Sequence, residues 1–156
     1  MSAGPLVASG IGILLLIVTA YVLIGGTLST TEVMVEAQTN LARYQEVRMR
    51  TAIEIQGAEI TENILHIQVK NTGSESIVDI ALIDVYIDTG DDPVYVPCGT
   101  EGSLYWWNAG IDPDAIHPGA LDPGETLTIG IAHNLDTDPL WVQVVTPNGV
   151  TSSAYI

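Results

Sequence analysis

The hydrophobic positions of this chain change period twice. From Pro5 to Leu28 they run almost unbroken, PLVASGIGILLLIVTAYVLIGGTL, and no charged residue falls among them. At roughly 1.5 Å per residue a helix carries such a run about 36 Å, enough to cross a hydrocarbon core of about 30 Å. Then the pattern becomes one-sided. Val33, Ala37, Leu41, Tyr44 and Val47 recur at i, i+4, i+8, i+11 and i+14, along one side of a helix. No Pro or Gly interrupts residues 27–56. The pattern predicts one long helix over residues 5–50, apolar all round first and one-sided later, with Gly25-Gly26 as the place for a bend. Its stripe can pack on the protein's own domain, on a second copy or on a partner helix.

From Thr51 the period becomes two. Ile53 and Ile55 alternate with Glu54 and Gln56, Leu65, Ile67 and Val69 with His66, Gln68 and Lys70, and Leu127, Ile129 and Ile131 with Thr128, Gly130 and Ala132. Such alternation marks strands with one buried face. Val78 to Ile87 is more continuously apolar and predicts a central strand. Val94 to Val96, Trp141 to Thr146 and Thr151 to Ile156 add three more, with turns at Asn71-Thr72-Gly73-Ser74, Asp88 to Pro93, Asp122-Pro123-Gly124 and Pro147-Asn148-Gly149. About seven short strands in about 100 residues predict an all-β domain, an immunoglobulin-like antiparallel sandwich. The predicted organisation is a transmembrane and stalk helix over residues 1–50 and a sandwich over 51–156.

The segment from Cys98 to Pro123 breaks this rhythm. It is rich in Gly, Pro and Asp and carries Tyr105, Trp106 and Trp107. A loop of that length is often functional, and Trp and Tyr are frequent interaction anchors. Two readings stand: the rings cap one end of the sandwich, or Tyr105, Trp106 and Trp107 contact a partner.

Charge sharpens the picture. Residues 1–50 balance Glu32, Glu36 and Glu46 against Arg43, Arg48 and Arg50, whereas residues 51–156 set sixteen Asp and Glu against Lys70 alone, so the whole net charge of −15 lies there. Such a domain repels nucleic acid and anionic lipid headgroups. No nucleic-acid partner is expected, while a salty or cation-rich medium, a basic partner or an acidic exterior suits it. Cys98 is the single cysteine, so no internal disulfide forms.

Catalytic patterns are missing. No His-x-x-x-His, Cys-x-x-Cys, Gly-x-Gly-x-x-Gly or Gly-x-Ser-x-Gly occurs. His66 reads as a surface side chain on a strand, and His117 and His133 fall near turns far apart in sequence. Asp88, Asp91 and Asp92 in one turn, and Asp112 with Asp114 in another, are oxygen donors for calcium or simply solvated acids; the full spacing of a calcium loop is absent. The expectation is no enzyme activity, no cofactor and no metal.

No Lys or Arg precedes the apolar run, and no Lys/Arg-Gly step marks a pilin-type leader, so it reads as an uncleaved anchor rather than a secretory signal peptide. Arg43, Arg48 and Arg50 follow the span, and the positive-inside rule leans toward a cytoplasmic domain.

The order of the pieces carries a resemblance. The helix runs into Arg48-Met49-Arg50-Thr51-Ala52-Ile53-Glu54-Ile55. Val69-Lys70-Asn71-Thr72-Gly73-Ser74 follows, then Leu82-Ile83-Asp84-Val85-Tyr86-Ile87-Asp88 and Leu121-Asp122-Pro123-Gly124-Glu125-Thr126-Leu127-Thr128. The chain closes with Val142-Gln143-Val144-Val145-Thr146-Pro147-Asn148-Gly149-Val150. This order resembles the archaellum (archaeal flagellum) accessory proteins of the FlaF and FlaG type, relatives of the archaellins. The F type looks closer over Thr51–Asp88. The resemblance implies a stator-like role without catalytic residues: a helix in the archaeal cell membrane, an extracytoplasmic sandwich against the surface-layer protein, and an oligomeric pairing with a sister accessory protein. That orientation opposes the charge rule. The other structural reading is a filament subunit, an archaellin or archaeal type IV pilin. A third, a ligand-binding surface domain, lacks a lipobox cysteine.

Overall fold

The computed structural model describes residues 3–90, 92–133 and 137–156, and the side chains of all of these but 27–29 and 133. Helix α1 spans Gly4–Arg50. The chain divides into two compact units, residues 1–43 and 44–156.

In the first unit the large apolar side chains between Leu6 and Ile24 are exposed along the helix. Two hydroxyls turn back on the backbone: Ser9 donates to the Leu6 carbonyl, and Thr19 to those of Leu15 and Leu16. The Ser9 and Thr19 hydroxyls within the apolar run thus need no water. By length and composition the helix is able to cross a membrane.

The second unit holds two four-stranded sheets. The strands are β1 (Ile53–Thr61), β2 (Ile64–Asn71), β3 (Asp84–Asp88), β4 (Val94–Val96), β5 (Leu104–Asp112), β6 (Thr126–His133), β7 (Trp141–Val145) and β8 (Thr151–Tyr155). One sheet runs β1-β2-β6-β5 and the other β4-β3-β7-β8, with every strand pair antiparallel. The expected all-β sandwich after one long helix is the observed fold.

Period-two alternation builds the core as anticipated. Leu65, Ile67 and Val69 of β2 and Leu127, Ile129 and Ile131 of β6 face Val85 and Ile87 of β3 and Val142 and Val144 of β7, all essentially without solvent contact. Each such burial contributes about 1.5–3 kcal/mol. The β1–β2 hairpin closes through Glu62 and Asn63, both at positive φ, as a two-residue turn of the twist-matched kind demands.

Two expectations are corrected. Cys98–Pro123 is not a single loop, because Leu104–Asp112 forms β5, the eighth strand, at the edge of the first sheet. Leu104 and Trp106 point inward, but a bulge between Asn108 and Gly110 shifts the register before Ile111 returns to the core. That shift hid the period. Val78 to Ile87 is not one strand either. Ile80–Leu82 is a 3-10 turn, Ile77 bridges to Leu121, and only Asp84–Asp88 pairs, between β4 and β7.

The sandwich margins are stitched rather than left open. Pro97 and Gly99 bond the backbone of Trp106 on the free side of β5, and the Ser152 hydroxyl accepts the Ile55 amide where β8 passes β1. Exposed strand edges invite unwanted pairing, and these bonds occupy them in part.

Candidate functional site

The last two turns of α1, from Tyr44, belong to the sandwich unit, and the polar sequence signals converge there. Thr51 leaves the helix buried, its hydroxyl donating to the Val47 carbonyl and accepting the Asn148 amide at 2.6 Å. The Asn148 carbonyl accepts the Tyr44 hydroxyl, and its side-chain oxygen accepts that of Thr146. The Asn71-Thr72-Gly73-Ser74 turn presses on the same point. Thr72 and Gly73 donate to the Ala52 carbonyl and Ser74 to that of Arg50. Asn71, fully buried, donates to the carbonyls of Glu75 and Leu121. A Cβ on Gly73 would lie 2.5 Å from the Ala52 nitrogen and the Arg50 oxygen, so only glycine permits the approach. Arg50 reaches Glu75 and Glu46 in exposed ion pairs, worth little each. Two turns that read as ordinary punctuation, Asn-Thr-Gly-Ser and Pro-Asn-Gly, thus clasp the helix end. Val47, half-buried, lines an apolar pocket of about 200 Å³ with Ile77, Val78 and Pro147.

Beside this clasp, two acids from Asp122-Pro123-Gly124-Glu125 are buried rather than solvated. Asp122 accepts the Ser76 hydroxyl, the His117 amide and the His117 ring Nδ1 at 3.0 Å. Glu125 accepts the amides of Ala115 and Asp122. The carboxylates therefore hold the 113–121 connection in place. The Ser76 hydroxyl, followed by the His117 ring, holds Asp122 below the usual carboxylate range against its burial. Ser76 and His117 both bond the carboxylate and not each other, so this is not a nucleophile–base relay.

Of the aromatic segment, Trp106 is fully buried in the core, and its Nε1–H finds no acceptor among the described residues. Tyr105 and Trp107 lie on the outer face, half-buried, with ring centroids 5.7 Å apart. Trp107 covers Gly130 across the β5–β6 ladder. His66 stands opposite Gly130 on the other side and Glu59 opposite His66, which makes a row across the sheet. A ring without exposed area offers no surface to a partner, so of the three only Tyr105 and Trp107 are placed to meet one.

The helix stripe is in the open at Val33, Ala37, Leu41 and Tyr44. Among the described residues no group of three His, Cys, Asp or Glu side chains is arranged to hold a metal ion. Asp88 and Asp114 instead accept the amides of Gly90 and Gly119. Asp91 and the His133 side chain lie outside the described residues.

One long apolar N-terminal helix, an antiparallel sandwich, and buried polar groups committed to holding turns together define a helix-plus-sandwich protein. No family model matches the chain, and no curated protein does. Among solved structures it is similar to the archaellum periplasmic stator protein FlaG from Sulfolobus acidocaldarius. The two are 24% identical with a TM-score of 0.57, over 68% of this chain and 99% of that one. It is also similar to the archaellum periplasmic stator protein complex FlaF and FlaG from the same organism, at 25% identity and a TM-score of 0.54, over 67% of this chain and 87% of that one. The resemblance to archaellum stator proteins of the FlaF/FlaG type is thereby shown in three dimensions.

Proposed function

We propose that this chain is a non-enzymatic structural component of the archaellum, a stator or tether anchored in the archaeal cell membrane by a single pass of α1. The likeness to the FlaF and FlaG complex, over two-thirds of the chain, is the observation that carries this reading. The sandwich stands on the extracytoplasmic side, contacts the surface layer, and pairs with a sister accessory protein. A static element under torque needs a joint that does not yield. The clasp of Thr51, Asn148, Asn71 and Gly73 suits that need, because its hydrogen bonds interlock around two buried side chains, Thr51 and Asn71. Tyr105 and Trp107 are the partner-contact candidates on the first sheet, and Val33, Ala37, Leu41, Tyr44 and Val47 the stripe for a partner helix or second copy.

Protease digestion of intact cells tests the orientation. Cleavage within residues 51–156 without lysis is expected, and full protection would reject the external placement that the charge rule also opposes. Recovery of the chain as the main component of sheared filaments would replace the stator by the filament-subunit reading. Loss of motility with intact filaments, on deletion, is the outcome a stator requires.

A further inference from the structure

The outer face of the β4-β3-β7-β8 sheet carries rings that no inward packing explains. On this face Tyr86 pairs with Tyr95 on one side and Gln143 on the other. In the next row Asp88 pairs with Trp141, and Trp141 with Tyr155. Tyr86, Tyr95, Trp141 and Tyr155 therefore form an aromatic band across four strands. Tyr86 and Tyr95 meet at 5.5 Å with their planes tilted by 58°. Tyr155 is 86% exposed and Tyr95 48%. Half-buried Asp84 and Asp88 share the face, and exposed Asp92 and Asp138 stand at its margin. None of these four acids has an ion-pair partner among the described residues. Residues 71–156 contain no Lys or Arg, and Arg48 and Arg50 at the helix end bond Gly149, Ser74, Glu75 and Glu46 instead.

We propose that this face is a docking surface for a basic protein that presents arginine side chains to the aromatic band. Ring faces and carboxylates attract the same charge. Guanidinium suits both, because it stacks flat on a ring while its edge bonds a carboxylate in two places. The other occupants are disfavoured by charge: a second copy would bring the same acids, and lipid headgroups or nucleic acid would bring phosphates. The first sheet differs, since its outer face holds Lys70 opposite Glu54 and spends Trp107 on covering Gly130. The inference rests on ring placement and charge alone and stands whether or not the chain serves as a stator.

The test uses the full-length protein in nonionic detergent micelles, titrated with nona-arginine and nona-lysine peptides and followed by tryptophan fluorescence and calorimetry. Nona-arginine is expected to bind more tightly than nona-lysine. The Tyr86→Ser, Tyr155→Ser double variant is expected to weaken nona-arginine by about tenfold. Glu59→Gln and Glu62→Gln, on the first sheet and its hairpin, are expected to stay within about twofold of wild type. If the double variant loses its fold by circular dichroism, Tyr155→Ser alone, at the exposed chain end, serves with an expected loss of about threefold. Equal binding of the two peptides with no effect of the ring variants would reduce the face to bulk charge and overturn the proposal. Equal losses from the ring and control variants would do the same. Self-association in sedimentation experiments that the ring variants abolish would assign the face to a second copy instead.

Discussion

The indole of Trp107 lies so close over Gly130 that a Cβ at residue 130 would fall 2.5 Å from its Cζ2. The two residues are direct cross-strand partners in β5 and β6. A glycine inside a strand is otherwise a weakness, with no side chain to pack, and here a neighbouring ring supplies the missing cover. Gly130→Ala is expected to force the indole off the sheet and cost about 1–3 kcal/mol in denaturant unfolding. In a Trp107→Ala background the same change should cost almost nothing. An equal cost in both backgrounds would show that the ring is not the cause.

The neighbouring tryptophans separate into two energetic classes. Trp106→Ala empties a fully buried site and is expected to lose about 3–5 kcal/mol. Trp107→Ala removes a half-buried ring and is expected to lose about 1 kcal/mol. Thermal unfolding of the two variants under one condition checks the order. Binding of a partner to folded Trp107→Ala then reports contact free of any collapse of the core.

The clasp at the helix end depends on backbone approach. Gly73→Ala places a methyl group against backbone atoms of Arg50 and Ala52, which cannot swing away as a side chain can. A loss of about 1–3 kcal/mol is expected, with faster hydrogen exchange at the amides of residues 72–74. Asn148→Ala strips Thr51 of its donor and should produce a loss of about 1–3 kcal/mol at the same joint. If the amides of residues 72–74 exchange as slowly as before in both variants, the joint is not held as described.

Acid should loosen the 113–121 connection through Asp122. Its carboxyl sits below its usual range in the folded protein, chiefly because the Ser76 hydroxyl donates to it, with the His117 ring second. A group depressed in this way contributes its full stability above the unfolded value, about 3.9, and loses it as pH falls through the lower native value. Unfolding free energy measured between pH 7 and pH 2 should therefore decline more steeply in wild type than in Asp122→Asn. Ser76→Ala should flatten the profile part of the way. Identical profiles for all three proteins would remove Asp122 from the acid response.

How much of this was legible depends on the range of the interaction involved. The apolar run, the long helix and the alternating faces of β2 and β6 are written in residues a few places apart, and the structure repeats them directly. The strand order β1-β2-β6-β5 and β4-β3-β7-β8 is not written that way, because register depends on which turns bring distant segments together. β5 escaped detection because a single bulge at Asn108–Gly110 breaks the period that would reveal it. Asp122 and Glu125 look like two more acids on an acidic surface. Their burial follows from amides and a hydroxyl delivered by segments as distant as Ser76. Composition likewise announces a charge of −15 but not its placement. Only the pairing of β3, β4, β7 and β8 gathers Tyr86, Tyr95, Trp141 and Tyr155 onto one face beside carboxylates that have no ion-pair partner among the described residues. Periodicity determined the long helix and the buried sides of the strands whose alternation is unbroken; three-dimensional closure decided where β3 begins, that β5 is a strand, which tryptophan is core, which glycines must remain glycine and which acids are structural, because each of those outcomes requires atoms far apart in sequence to arrive within bonding distance.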